Sequence, residues 1–231
     1  VVHLNSGAPV RDVDQYEETA MGGTTAEASS ADLIVDLIIS LDGYASAEGW
    51  PGWWGLEGPE YLAWLEQEGE KDYTFLLGAN TYRLMSSMSE EAAAEGSGFS
   101  ADEGASLTGL AAVPKVVFSS TLRAPLAWPN SELVTGDAVE AVREMKRNGT
   151  GTLSTLGSLS LCRSLLGAGL VDRFRVVVFP VITGRTGRER IYDGYPDVSL
   201  EMVNSRTFDG RLQLLEYVPT VLSGPPGSGP A

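Results

Sequence analysis

Cysteine and histidine are almost missing from this chain: Cys162 and His3 are the single copies in 231 residues. Their scarcity excludes internal disulfides, zinc sites built from Cys or His, and Cys-His nucleophilic pairs. A Ser-His-Asp triad would need His3, in a polar N-terminal stretch, to fold back onto the rest of the chain. Basic residues are scarce too, but unevenly so. Residues 1–112 carry 20 Asp and Glu against Arg11, Lys71 and Arg83, whereas residues 113–231 carry 11 acidic and 13 basic side chains. The net charge of −15 argues against nucleic acid and anionic membranes as partners. A small polyanion such as a nucleotide should prefer surface built by the second half. No apolar run approaches the roughly 18 residues of a transmembrane helix. Charged residues from Arg11 to Glu18 stand where a signal peptide would be apolar, so a cytoplasmic location is the expectation.

What is present is 43% hydrophobic residues with 20% charged ones, enough for one sizeable core. Residues 1–30 are polar and patternless, and read as a leader that is disordered or lies ahead of a natural start such as Met21. Residues 31–220 carry the fold, and 221–231 form a flexible Gly/Pro/Ser tail. Within the fold, residues 33–40 (LIVDLIIS) form a short, β-branched apolar run that suits a central strand covered on both faces. Residues 73–77, 115–118 and 173–179 are similar. Residues 137–147 (DAVEAVREMKR) start acidic, end basic and space Val139, Val142 and Met145 three apart, which predicts an amphipathic helix. Residues 158–166 place Leu159, Cys162, Leu165 and Leu166 on one stripe, with Cys162 as plain core. Asp209-Gly210 between two strand-like runs predicts a hairpin with a type I′ turn. Together these give an α/β fold with a mostly parallel, mixed sheet between helical layers, closed by an antiparallel hairpin. Residues 89–112 read as a mobile loop with a short helix.

A chain so poor in reactive side chains suits a cofactor that carries the reaction. Neither G-x-G-x-x-G nor a P-loop is present. Three strand ends nevertheless offer phosphate-binding chemistry, and on one parallel sheet they would share an edge. Gly157-Ser158 turns a strand into a helix N-terminus, where free N–H groups and the positive dipole end favour an anion; a glycine turn with a Ser N-cap is the plainer reading. Ser119-Ser120-Thr121 with Arg123 behind it is either a hydroxyl-lined phosphate site or an ordinary polar turn. Gly78-Ala79-Asn80-Thr81 is the third junction.

These junctions belong to an ordered set with Ser40-Leu41-Asp42-Gly43-Tyr44, Leu76-Leu77-Gly78, residues 115–122 (KVVFSSTL), Gly169-Leu170-Val171-Asp172 and Pro180-Val181-Ile182. In order and spacing the set resembles the dihydrofolate reductase-like superfamily, in the branch of the C-terminal reductase domain of bifunctional riboflavin-biosynthesis deaminase-reductases. The resemblance implies that three-layer fold, a homodimer, NADPH as cofactor, no metal, and reduction of a small heterocyclic or ribosyl substrate. By position it would put Gly78 and Thr81 at the cofactor phosphates, Ser119, Ser120 and Thr121 at the adenosine 2′-phosphate, Gly157, Ser158 and Leu159 at the pyrophosphate, and Val181 and Ile182 beside the nicotinamide. Two departures stand out: Ala79 replaces an arginine usual in the family, and Leu156-Gly157-Ser158 replaces Glu-Gly-Gly. They favour, as the competing reading, a heterocycle- or nucleotide-binding protein that keeps the fold without turnover.

Asp42 is expected to supply the proton or to orient the substrate, with stabilisation of the turn before Gly43 as its plainer role. Glu57 and Glu60 lead into a predicted helix from Pro59 and can replace it, or serve as partners of the helix dipole. Trp50, Trp53 and Trp54 crowd one loop; Trp54 and Glu57 are the expected substrate contacts, the tryptophans stacking on a flat ring or packing the loop down.

Overall fold

A computed structural model describes residues 31–49, 54–94, 96, 98–99, 101–149 and 151–227. The leader, with Met21, and Trp50, Trp53 and the last four residues of the tail lie outside them. Eight strands form one sheet in the order β5-β4-β3-β6-β1-β7-β10-β9. They are β1 (Leu33–Ser40), β3 (Tyr73–Gly78), β4 (Lys115–Phe118), β5 (Ser131–Val134), β6 (Thr152–Thr155), β7 (Arg173–Phe179), β9 (Val198–Phe208) and β10 (Leu212–Val221). The first six pair in parallel, and β10 and β9 close the sheet antiparallel. The short strands β2 (Tyr44–Ala47) and β8 (Gly187–Arg190) make a separate ribbon. With β5, they carry no sustained apolar run, so their pattern does not announce them.

Alternation along β1 explains the layers. Val35, Leu37 and Ile39 pack with Cys162 and Leu165 of α5 (Leu159–Gly167) and Val142 of α4 (Ala138–Asn148) on one face. On the other face, Val177 and Phe179 of β7 meet Tyr61 and Trp64 of α1 (Pro59–Gly69), and Leu77 and Val117 meet Tyr82 of α2 (Ala79–Ala93). Cys162 is fully buried, its thiol pushed up to about 11 by burial, which fits a core residue and not a nucleophile.

The stretch expected to be a mobile loop with a short helix holds a short helix, α3 (Ala101–Gly109), and α2 also runs on into it as far as Ala93. Its Ala and Glu content favours helix, while low hydrophobicity hides the buried position, Leu107. Lys115, buried at the start of β4, donates to the carbonyls of Leu110, Ala111 and Val113 just past α3, where a cation complements the helix dipole.

The hairpin turn forms as its sequence dictates. Asp209 and Gly210 have φ of 51° and 66°, and Arg211 N donates to Phe208 O at 2.9 Å. The same turn caps a distant helix. Asp209 accepts from the N–H groups of Glu60 (3.0 Å) and Tyr61 (3.2 Å), and Glu60 accepts from Asp209 N at 2.6 Å. This is a capping box assembled from two segments 149 residues apart. It also explains Gly58: a Cβ there would lie 2.2 Å from the Asp209 carboxyl carbon.

Candidate active site

Parallel pairing puts the carboxyl ends of β4, β3 and β6 on one edge of the sheet, and the three junctions with them. Four helix N-termini can be compared. Those of α1 and α4 are served by carboxylates, from Asp209 and Asp137, with Glu60 and Glu140 in their first turns. Those of α2 and α5 have no side-chain cap and no acidic residue in the first turn. Their free N–H groups and positive dipole ends therefore remain for an anion.

Ser158 binds these two helix starts together, and not as a cap. It sits in the left-handed region (φ 62°), directly after Gly157 (φ 59°), which turns its hydroxyl away from its own helix. That hydroxyl accepts from Gly78 N at 2.7 Å and donates to Thr81 Oγ1 at 2.9 Å. A Cβ at position 157 would reach Thr81 at 3.5 Å and fill the space between the helix starts. Leu159 opens α5 and turns its side chain to the core, so only its backbone faces the edge. On the far side of α2, Ser119 Oγ accepts from Thr121 N (3.1 Å) and Leu122 N (3.0 Å), shaping the turn after β4. Ser120 is exposed on that turn, its carbonyl accepting from Arg123. Arg83 spans the two junctions, donating to Asn80 Oδ1 at 3.3 Å and to Thr121 Oγ1 at 3.4 Å. One helical turn after Ala79, it brings a guanidinium to the region where the family's arginine is absent.

Beside these junctions the sheet opens. β1 and β6 pair only at Leu33 with Leu153 and Ile34 with Ser154, after which Asp36 N donates to Thr155 Oγ1 and β1 continues to Ser40 along β7 alone. Beyond the ends of β2 and β7, a cleft of about 460 Å³ is lined by Ala47, Trp54, Gly55, Val181, Ile182, Thr183 and Thr186. The structure thus gathers Trp54, Val181 and Ile182. A depression of about 290 Å³ at the opposite edge, around Ala31, Thr74 and Met145, has no titratable side chain in its lining.

Asp42 ties two segments of the chain together. It accepts from Ser40 Oγ (2.6 Å), Gly184 N (2.9 Å) and Thr183 N (3.2 Å), tying the end of β1 to the loop after β7. The Ser40 hydroxyl foremost, helped by those two backbone N–H groups, outweighs the opposing burial and holds its carboxyl at about 2. At neutral pH it is a carboxylate with no proton to give. Its partners support the turn-stabilising role weighed beside that of proton source. Glu60, the second alternative, is taken up by the Asp209 clasp. Glu57 remains: burial raises its pKa, and Glu103 raises it further, against its own N–H, that of Gly55, and Arg211.

Sequence reasoning passed over a charged network inside the apolar runs. Arg175 of β7 sits opposite Asp36 of β1, donates to it at 2.6 Å and to Glu68 of α1 at 2.7 Å, and lies 5.1 Å from the Trp64 ring centroid. The available signal was opposite charges in two strands that are otherwise apolar. Among the described residues no three of His, Cys, Asp and Glu are grouped to hold a metal, and no helix is long and apolar enough to cross a membrane.

With this geometry in view, the family model of the RibD C-terminal domain matches residues 31–214. The chain belongs to the RibD C-terminal domain family. That is a family of NADPH-dependent reductases. Its architecture is the dihydrofolate reductase-like α/β fold. A putative riboflavin biosynthesis protein from Shewanella sp. PV-4 superposes with a TM-score of 0.60 at 19% identity, covering 82% of this chain and 99% of that one. A diaminohydroxyphosphoribosylaminopyrimidine deaminase/5-amino-6-(5-phosphoribosylamino)uracil reductase from Thermotoga maritima gives 0.56 at 16% identity, over 83% of this chain and 57% of that one. Dihydrofolate reductase from Enterococcus faecalis, complexed with NADP(H), gives 0.51 at 13% identity, over 81% and 96%. At these identities the likeness is one of fold. By sequence, the uncharacterized protein YyaP of Bacillus subtilis is 31% identical over 84 residues, 36% of this chain. The matched stretch spans 44% of that relative, less than half its length.

Proposed function

We propose that this RibD C-terminal-like protein is an NADPH-dependent reductase of a small heterocyclic substrate: pterin-like, pyrimidine-ribosyl such as 5-amino-6-(5-phosphoribosylamino)uracil, or related. The observation that carries the reading is the pair of carboxylate-free helix N-termini, α2 and α5, locked side by side by Ser158 next to the gap between β1 and β6. This fits a pyrophosphate, which needs convergent N–H donors and close backbone approach. The starts of α2 (Gly78 to Thr81) and α5 (Gly157 to Leu159) would hold it. Arg83 with Ser119, Ser120 and Thr121 would meet the 2′-phosphate, and Val181 and Ile182 would border the nicotinamide. When bound, NADPH supplies the hydride. The protein's own tasks are to orient the substrate, exclude water and hold a proton. Glu57, beside the start of α1 and with its pKa raised by burial, is the group we assign to the last.

Titration of the full chain with NADPH, followed by nicotinamide fluorescence, tests this. Saturable binding is expected, and Arg83→Ala should weaken NADPH by about ten- to a hundredfold, the worth of one charged hydrogen bond. NADH, lacking the 2′-phosphate, should be much less affected. Absence of binding at high micromolar NADPH would overturn the reading. Ala79 favours a second reading, a binder without turnover. Loss of NADPH absorbance with dihydropteridine, folate or riboflavin-precursor substrates separates the two.

A further inference from the structure

The contacts proposed for the cofactor follow the strand order along the carboxyl edge of the sheet. Ser119 to Thr121 come after β4, Gly78 to Thr81 at the end of β3, Gly157 to Leu159 after β6, and Val181 and Ile182 after β7. A molecule laid along that edge must pass from β6 to β7 over β1, the strand between them. The seam between β6 and β1 is where a ladder stops. Leu153 N donates to Asp32 O at 2.8 Å, and pairing continues through Ile34 and Ser154. In a parallel ladder of that register the Asp36 N–H would next meet the carbonyl of Thr155. It donates instead to the Thr155 hydroxyl, at 3.1 Å. On its other side β6 keeps its pairing, with Thr155 opposite Leu76 of β3 and Leu156 N donating to Leu76 O at 3.2 Å. So β6 stays with β3 and parts from β1, which runs on to Ser40 beside β7.

We propose that Thr155 is a positioning residue: its hydroxyl stands in for a ladder carbonyl, holds β1 and β6 apart, and so makes room between them for the nicotinamide half of the cofactor. Backbones in a ladder lie about 4.8 Å apart, and a side chain that takes one of the bonds keeps them wider. The hydroxyl is fixed in place. Thr155 is 1% exposed, and the Cys162 thiol of α5 lies 3.5 Å from its Oγ1 while donating to Gly157 O at 3.1 Å. The spacer is thereby tied to the turn that opens α5, next to the groups proposed for the pyrophosphate. Valine has the same shape and no acceptor. A buried N–H without a partner is costly, and for Asp36 the acceptor that the ladder offers is the carbonyl of that same residue 155. Taking it would draw β1 back to ladder spacing and close the gap. The proposal rests on the reductase reading for what the gap admits; the spacing of the strands does not depend on it.

Thr155→Val in the full chain tests it, with Thr155→Ser, which keeps the hydroxyl, as the rescue. Calorimetry compares NADPH with 2′-monophosphoadenosine 5′-diphosphoribose, which is the cofactor without its nicotinamide. Thr155→Val should weaken NADPH about tenfold and leave the truncated ligand within about twofold, while Thr155→Ser restores the parent affinity. Should the valine protein fail to fold, Thr155→Ala removes the same acceptor with less bulk and carries the same expectation. A second readout needs no ligand. The scalar coupling across a hydrogen bond, from Asp36 N to the carbonyl carbon of residue 155, should appear in the valine variant and be absent from the parent and from Thr155→Ser. Equal weakening of both ligands, as a merely structural role would give, unchanged NADPH affinity, or the coupling already present in the parent would overturn the proposal. NADPH bound equally well by parent and valine variant would sink this inference alone. A parent chain that binds neither ligand would remove the reductase reading and this role with it, and the coupling would still report whether the hydroxyl parts the strands.

Discussion

Ser158 is the side chain on which the candidate cofactor edge depends, and its removal can be worked through quantitatively. Ser158→Ala leaves Gly78 N without its acceptor at 2.7 Å and Thr81 Oγ1 without its donor at 2.9 Å. A partly buried N–H left unpaired costs about 1–3 kcal/mol. Ala, like the Ser it replaces, must occupy φ 62°, ψ 61°, a conformation that costs a side-chain-bearing residue about 1–2 kcal/mol and glycine nothing. Ser158→Gly loses the same hydroxyl but relieves that strain. It should therefore be about 1 kcal/mol more stable than Ser158→Ala, which falls below the parent chain. For a domain of this size 1 kcal/mol corresponds to about 2–4 °C in Tm, so urea titration and thermal melts resolve all three proteins. NADPH affinity should follow the hydroxyl and not the stability, falling by a similar factor in both variants, because both unfasten α5 from the start of α2. A Ser158→Ala protein as stable as the parent, or a glycine variant no better than the alanine one, would refute the reasoning.

Two further perturbations probe the frame of the site. Gly58→Ala should expel the Asp209 carboxylate from the start of α1 and cost about 0.5–2 kcal/mol, the value of a helix cap; combined with Asp209→Gly the same change should cost almost nothing further, which a double-mutant cycle in urea will read as non-additivity. Asp42 has its folded pKa lowered, from 3.8 to about 2, so its contribution to stability is fully present above pH 3.8 and is lost as pH falls through 2. The stability difference between the parent and Asp42→Asn should accordingly be greatest near neutrality and vanish at the acid end of the titration.

Local chemistry made much of the fold legible in the sequence. Strand and helix periods, the Asp137 cap and the Asp209-Gly210 turn are properties of neighbouring residues, and each forms where the pattern places it. Parallel pairing then brings the three strand-end junctions to one edge, as their shared position after strands implies. In the 89–112 stretch the short helix was legible but not the extension of α2 to Ala93, and α3 is amphipathic only weakly, with Leu107 buried. Short edge strands such as β5 were silent because edge pairing needs no apolar run.

The residue chemistry of the site was another matter. Asp42 looks the same on paper whether it lends a proton or ties two loops together; only the donors Ser40, Thr183 and Gly184 decide that it stays a carboxylate. Ser158 looks like a cap, yet its left-handed backbone aims the hydroxyl at another segment, 80 residues away at Gly78. Asp209 caps a helix 149 residues away, and Arg175 finds Asp36 and Glu68 from two other elements. The scarcity of Cys and His was fixed by composition alone, and with it the exclusion of disulfides and of zinc sites built from Cys or His. Which carboxyl group is clamped and which caps depends on burial and on partners that are distant in the chain, and only the tertiary structure supplies those.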